Sequence, residues 1–168
     1  MRKAVVELLE KFESPVDNCQ HRHVAEALYA IEDPRILASF RKHLSNRLTW
    51  EDYLCLNYVA KTGDKDAMKI LNDNYFKYPT SSLQWSYTVR LFGKFHYEPA
   101  IPNLIESLGA ASLNLVDAAI DSLEQLCPGP HPEFSSIDEA RKYFQGRYNE
   151  RRRQAPSACL ELEAGDRW

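Results

Sequence analysis

The chain has 168 residues, 44% of them hydrophobic, enough for one well-buried domain and with no shift in composition to suggest a second. Its 21 basic and 24 acidic residues give a net charge of −3, which argues against an affinity built mainly on nucleic-acid phosphates or anionic lipid but leaves room for a local basic patch. No run approaches the roughly 20 apolar residues that a membrane-spanning helix needs.

At the N-terminus, MRKAVVELLEKFE joins basic residues to a short apolar segment. Glu7, Glu10 and Glu13 interrupt that segment and no small-residue cleavage site follows. The spacing of Val5, Leu8, Leu9 and Phe12 predicts an amphipathic helix, and a soluble, cytoplasmic location is expected. Further stripes at helical spacing follow in order: Val24, Leu28 and Ile31; Ile36, Leu37, Phe40 and Leu44; Ala67, Ile70, Leu71 and Tyr75; Val89, Phe92 and Phe95. Val116, Ala119, Ile120 and Leu123 form another, and Ile137, Ala140, Phe144 and Tyr148 the last. No segment holds the strict alternation of a half-buried strand, so an all-α fold is expected.

Between Phe95 and Val116, the stretch YEPAIPNLIESLG carries Pro99 and Pro102 ahead of Ile101, Leu104, Ile105 and Leu108. The first amides of a helix have no intrahelical partner, so proline costs little there and its fixed φ presets the first turn. The two prolines predict a helix start. Connections elsewhere are short, at IEDP, KTGDKD and KFHYEP, which makes successive helices antiparallel neighbours. Only CPGPHPEFSS, Cys127 to Ser136, reads as a long loop, with Ser135 and Ser136 as caps for the next helix. The four cysteines, Cys19, Cys55, Cys127 and Cys159, are widely spaced, which argues for buried thiols over a disulfide or zinc framework.

Registered on these connections, ALYAIEDPRILASFRKHL, YVAKTGDKDAMKILNDNY and LFGKFHYEPAIPNLIESL align without gaps. Ile36, Ala67 and Ala100 then share a column at spacings of 31 and 33, and Phe40, Leu71 and Leu104 share another. A repeated period in this range marks a stacked helical array. The pattern resembles HEAT-like repeats: EPAIPNLIESL followed by NLVDAAIDSLEQL matches best, with DKDAMKIL and DPRILASF as weaker copies. The resemblance covers Val24 to Tyr148, although LSNRLTWEDYLCLNY is richer in polar and aromatic residues than a consensus helix. It implies a short α-solenoid of about four antiparallel helical hairpins in residues 1–150, with capping terminal helices and a flexible tail over 151–168. The family serves mostly as a protein-binding scaffold, with alkylated-base DNA glycosylases and bilin lyases among its relatives. Its motif consists of core positions and carries no catalytic residue over to this chain.

Local chemistry offers little beyond that. Cys19, His21 and His23 in CQHRH have metal-type side chains, but alternate spacing converges in an extended segment and not in a helix. Cys127 and His131 in CPGPHP lack an orienting third residue. No phosphate loop, nucleophile elbow or paired-histidine zinc motif occurs, so no enzyme activity, cofactor or metal is expected. Arg147, Arg151, Arg152 and Arg153 form a basic cluster suited to a helix C-terminus, and nucleic acid is not the expected partner.

In a solenoid the second helices line a groove. Its expected partner-binding residues are Lys42 and Asn46, then Lys69, Asp73, Phe76 and Lys77, then Asn103 and Glu106. Charges of both signs suit a protein partner, and Phe76 is the expected aromatic anchor, with Tyr75 turned inward. The expected function is non-catalytic binding of another protein, most specifically as a bacterial immunity protein that neutralises a toxin. A general adaptor or assembly scaffold is the alternative, and a DNA-binding or bilin-lyase-like relative a more distant one.

Overall fold

A computed structural model of the chain describes residues 2–14, 18–44, 49–77 and 81–154. Among these residues the fold is all-helical. The helices are α1 (Arg2–Glu13), α2 (Asn18–Tyr29), α3 (Pro34–Lys42), α4 (Trp50–Ala60), α5 (Lys65–Asp73), α6 (Ser82–Lys94), α7 (Ile101–Ser107), α8 (Leu113–Leu126) and α9 (Ile137–Gln154), with a 3-10 turn at Glu98–Ala100.

The helix starts follow from local chemistry. Asp33 accepts the Arg35 amide at 2.9 Å and Asp64 that of Ala67 at 3.0 Å, which gives α3 and α5 side-chain caps for otherwise unpaired donors. Thr49 caps α4 through the Asp52 amide, and Ser81 with Gln84 forms a capping box at α6. Ser136 accepts the Glu139 amide at 3.2 Å to start α9. Pro99 lies in the 3-10 turn and Pro102 in the first turn of α7, so both prolines begin a helix as expected. The chain reaches that start from α6 through His96, whose φ of 50° is left-handed. The Tyr97 amide bonds the Phe92 carbonyl at 2.9 Å and the His96 amide that of Gly93 at 3.0 Å, the Schellman pattern with histidine in the usual glycine place.

Helix α4 occupies the centre. Every residue from Tyr53 to Ala60 is buried, and the helix packs against α2, α3 and α5. At the other end α6 packs extensively on α8, while α7 lies against α8 and α9. Several polar contacts between α4 and α6, α5 and α7, and α6 and α8 share a separation, while those between α2 and α4 are closer in sequence, with Glu26 and Trp50 24 apart and Tyr29 and Asn57 28. Tyr53 with Gln84, Asn57 with Thr88, Asn72 with Asn103 and Arg90 with Asp121 are each 31 residues apart. Tyr75 with Ser107 is 32 apart and Val89 with Ser122 is 33.

Helix α9 runs to Gln154, so the boundary expected at 150 falls inside a helix. The Arg151 guanidinium donates to the Leu126 carbonyl at 2.6 Å and Arg147 to that of Pro128 at 2.9 Å. Both arginines thus bond carbonyls at the end of α8 and in the loop after it. Asn46 and the tail over 155–168 lie outside the described residues. Among the described residues no helix is long and apolar enough to cross a membrane.

Candidate functional site

The stripe expected from the second helices does not form a single helical face. Helix α5 ends at Asp73, so Phe76 and Lys77 stand in the turn that follows it and not on the helix. Phe76 has a φ of 60°, a left-handed conformation that costs a bulky side chain of the order of 1 kcal/mol or more. Its ring is exposed, while Tyr75 is buried with its hydroxyl 2.6 Å from Ser107. One side of the Phe76 ring packs on Tyr75, with centroids 4.3 Å apart, and it reaches Trp85 at 5.9 Å. Lys77 donates to the Asp73 carbonyl at 2.9 Å, which closes the end of α5.

Asn103 does not point freely into a groove. Its amide donates to the Asn72 carbonyl at 3.0 Å and to the Asn72 side chain at 2.9 Å, tying α7 to α5. Lys69 pairs with Asp73 at 2.7 Å one turn away on the same exposed surface. Lys42 and Glu106 are exposed. A stripe read at constant spacing cannot anticipate that α5 is only nine residues long, or that an asparagine will be used to join neighbours.

A different surface carries the concave geometry. Between α2, α4 and α6 lies an open concavity of about 320 Å³ lined by Glu26, Tyr29, Trp50, Tyr53, Leu54, Gln84 and Tyr87. Trp50 stacks on Tyr53 with centroids 5.4 Å apart and planes 23° apart. The Trp50 indole N–H donates to Glu26 at 3.0 Å, which fixes the ring. Tyr87 is 59% exposed and Leu83, one turn before it on α6, is 52% exposed.

A directed polar chain forms the floor. The Tyr29 hydroxyl donates to the Asn57 carbonyl oxygen at 2.8 Å, and the Asn57 amide donates to Thr88. Thr88 and Tyr53 hydroxyls are 3.0 Å apart, and Tyr53 donates onward to the Gln84 carbonyl at 2.8 Å. The Asn57 amide also reaches the Tyr53 oxygen at 3.4 Å, so the buried Asn57 is satisfied in the middle of an apolar helix.

Burial pushes the Tyr29 phenol up to about 12, with the nearby Tyr87 adding to the effect. Burial raises Tyr53 further, against the opposing hydrogen bond from Thr88. The Glu26 carboxyl is held below its usual range by the Arg22 hydrogen bond first, with help from Trp50 and His23 against the cost of burial.

A second concavity, of about 710 Å³, adjoins the first at Tyr29 and includes Tyr58, Leu37 and Lys61. The Lys61 ammonium stands 3.7 Å from the Tyr29 ring centroid. Burial lowers its pKa, against the attraction of Glu32.

The metal-type motif borders the first concavity through Arg22 and His23, which face Glu26. CQHRH falls within α2, where positions two apart face different directions. The side chains of Cys19 and His21 lie outside the described residues, and His23 faces Glu26 at 3.5 Å. Cys127 is buried, which raises its thiol pKa against the pull of Arg151 and Arg147. His131 instead packs against Tyr143 and Phe144, its Nδ1 buried without a hydrogen-bond partner.

Comparison of the chain with protein-family models, curated proteins and solved structures gave no match. The functional reading therefore rests on this geometry. The concavity was missed in the sequence because its residues come from three helices. The available signal was the aromatic density of LTWEDYLCLNY and LQWSY, which exceeds what a repeat core requires.

Proposed function

We propose that the chain is a short HEAT-like α-solenoid that binds another protein and catalyses no reaction. The exposed pair Leu83 and Tyr87 beside the aromatic concavity carries this reading. Large apolar side chains left on a rigid helix next to a fixed tryptophan have the composition of a binding hot spot. The stacked arrangement is supported by the polar contacts at separations of 31 to 33, which match the spacing of the sequence repeat. On this reading the first helices, α2, α4 and α6, present the main partner surface. The surface near Lys69, Asp73 and Phe76 is secondary.

The test compares two variants as bait for the natural partner. Leu83→Ser with Tyr87→Ala is expected to abolish capture with helicity and melting unchanged, and Phe76→Ala with Asp73→Lys to weaken it. Full capture by the first variant would remove the first-helix surface from consideration. The narrower proposal, an immunity protein, predicts that an adjacent reading frame encodes a toxin neutralised on co-expression. A neighbour without toxicity counts against it and in favour of an adaptor.

A further inference from the structure

The concavity between α2, α4 and α6 offers the two things that hold an organic cation in a protein, aromatic faces and a fixed carboxylate. Tyr29, Trp50 and Tyr87 supply the rings, the buried Tyr53 backs the Trp50 indole, and Glu26 supplies the charge. The indole is locked in place, because its N–H bonds Glu26 and its face stacks on Tyr53. Glu26 uses Oε1 for both Trp50 and Arg22, while among the described residues its Oε2 faces His23, at 3.5 Å, which leaves acceptor capacity on that oxygen.

The chain itself already uses these groups on cations. Arg22 donates to Glu26 at 3.1 Å, and its guanidinium carbon lies 5.7 Å from the Trp50 ring centroid. The Arg22 side chain is 56% exposed and is not among the residues that line the concavity. In the adjoining concavity the Lys61 ammonium rests on the Tyr29 ring. A guanidinium and an ammonium thus occupy the margins of the ring cluster, and the space between the rings is open.

We propose that this concavity is a cage for a cationic side chain, arginine or lysine, projecting from a basic segment of the partner protein, with Arg22 as an internal competitor at its rim. The inference rests on the protein-binding reading above and names the chemistry of the partner at that surface. Complementarity supports it, since the chain is net acidic and the cage holds one carboxylate among π-faces. A guanidinium fits better than a compact ammonium, because it can stack on the indole while donating two hydrogen bonds toward one carboxylate.

The experiment titrates the full chain with the peptide acetyl-Gly-Arg-Gly-amide and with its citrulline analogue, which keeps the shape and removes the charge. The readout is the Trp50 indole N–H resonance. The arginine peptide is expected to shift it saturably and the citrulline peptide to bind at least about tenfold more weakly. Arg22→Gln is expected to tighten the arginine peptide about threefold or more by removing the competitor, and Glu26→Gln to weaken it about tenfold. Equal binding of both peptides, or no binding of either, overturns the cage. Because Glu26→Gln is nearly isosteric, unchanged circular dichroism is expected, and Tyr87→Ala on the exposed rim serves as a second weakening variant. The natural partner separates the two readings: capture that depends on Leu83 and Tyr87 while neither peptide binds leaves protein binding standing and removes the cage. Peptide binding alongside full capture by the Leu83→Ser, Tyr87→Ala variant removes the first-helix surface as the partner site, and the partner role of the cage with it.

Discussion

The seam between α4 and α6 and the seam between α6 and α8 have the same sequence separation and opposite packing. At the first, Tyr53, Trp50 and Tyr87 are bulky, and an open concavity with a polar floor lies among them. At the second, Gly93 faces Ser122 so closely that a Cβ added to Gly93 would lie 2.8 Å from the Ser122 Cα. Ala118 and Ala119 are fully buried nearby, and the Ser122 hydroxyl satisfies itself on the Val89 and Ala118 carbonyls at 2.9 and 2.8 Å. Equal spacing in sequence sets which helices meet, but side-chain volume sets how closely. Small residues close one seam, and aromatic ones leave the other accessible.

The largest expected effect comes from breaking the aromatic seam at its centre. Asn57→Ala strands the Tyr29 hydroxyl and removes the donor to Thr88, and a loss of about 3 kcal/mol is expected in urea denaturation. Tyr29 borders open space and can rehydrate, so a smaller loss would show that the concavity is wet enough to replace Asn57.

Gly93→Ala attacks the closed seam. Alanine is the better helix former by about 1 kcal/mol, so stabilisation is expected if α6 and α8 can part. Contact with backbone at 2.8 Å leaves little room to yield, and a net loss of about 2 kcal/mol is expected. Measured stabilisation would erase the contrast between the seams.

Alkaline pH separates them without mutation. Tyr29 has a folded pKa of about 12 against 10.0 for the free group, so between these values the unfolded chain has released a proton that the folded chain keeps. The unfolded state binds fewer protons there, and stability falls as pH rises from 10 toward 12. Below 10 this contribution is fully present. Tyr53 and Tyr75, also raised by burial, act in the same direction. Hydrogen exchange at about pH 10 to 11 should therefore accelerate in α4 before α8. Simultaneous acceleration would mean that the two seams open as one unit.

The smallest effect is expected at Phe76. Phe76→Gly relieves a left-handed φ of 60° and loses a ring contact with Tyr75 and Trp85, so the net change in stability should stay within about 1 kcal/mol. A loss well above that would reassign Phe76 from exposed anchor to a part of the aromatic seam.

Much of the fold was legible because capping and periodicity are local. Ser136 and the two prolines marked helix starts that the structure keeps, and the short connections IEDP and KTGDKD hold the caps Asp33 and Asp64. The inward Tyr75 and outward Phe76 also follow from the stripe, although the register carried the helix past its end at Asp73. Helix α4 was the least legible element. It is buried on all sides, so it has no polar face and therefore no period to read. The site suffered for the same reason, since Trp50 and Tyr53 belong to that helix and their partners Glu26 and Tyr87 to two others.

The sequence by itself determined that the described residues are all-helical and where most of their helices begin. These depend on backbone donors, proline geometry and apolar spacing within a few turns. Only the tertiary structure decided that Asn103 joins two helices, that Arg147 and Arg151 bond carbonyls at the end of α8 and in the loop after it, and that glycine closes one seam while aromatic residues leave the other accessible. Those outcomes depend on which side chains meet partners 19 to 31 residues away in the chain, and no local rule fixes the volume or polarity of a partner that far away.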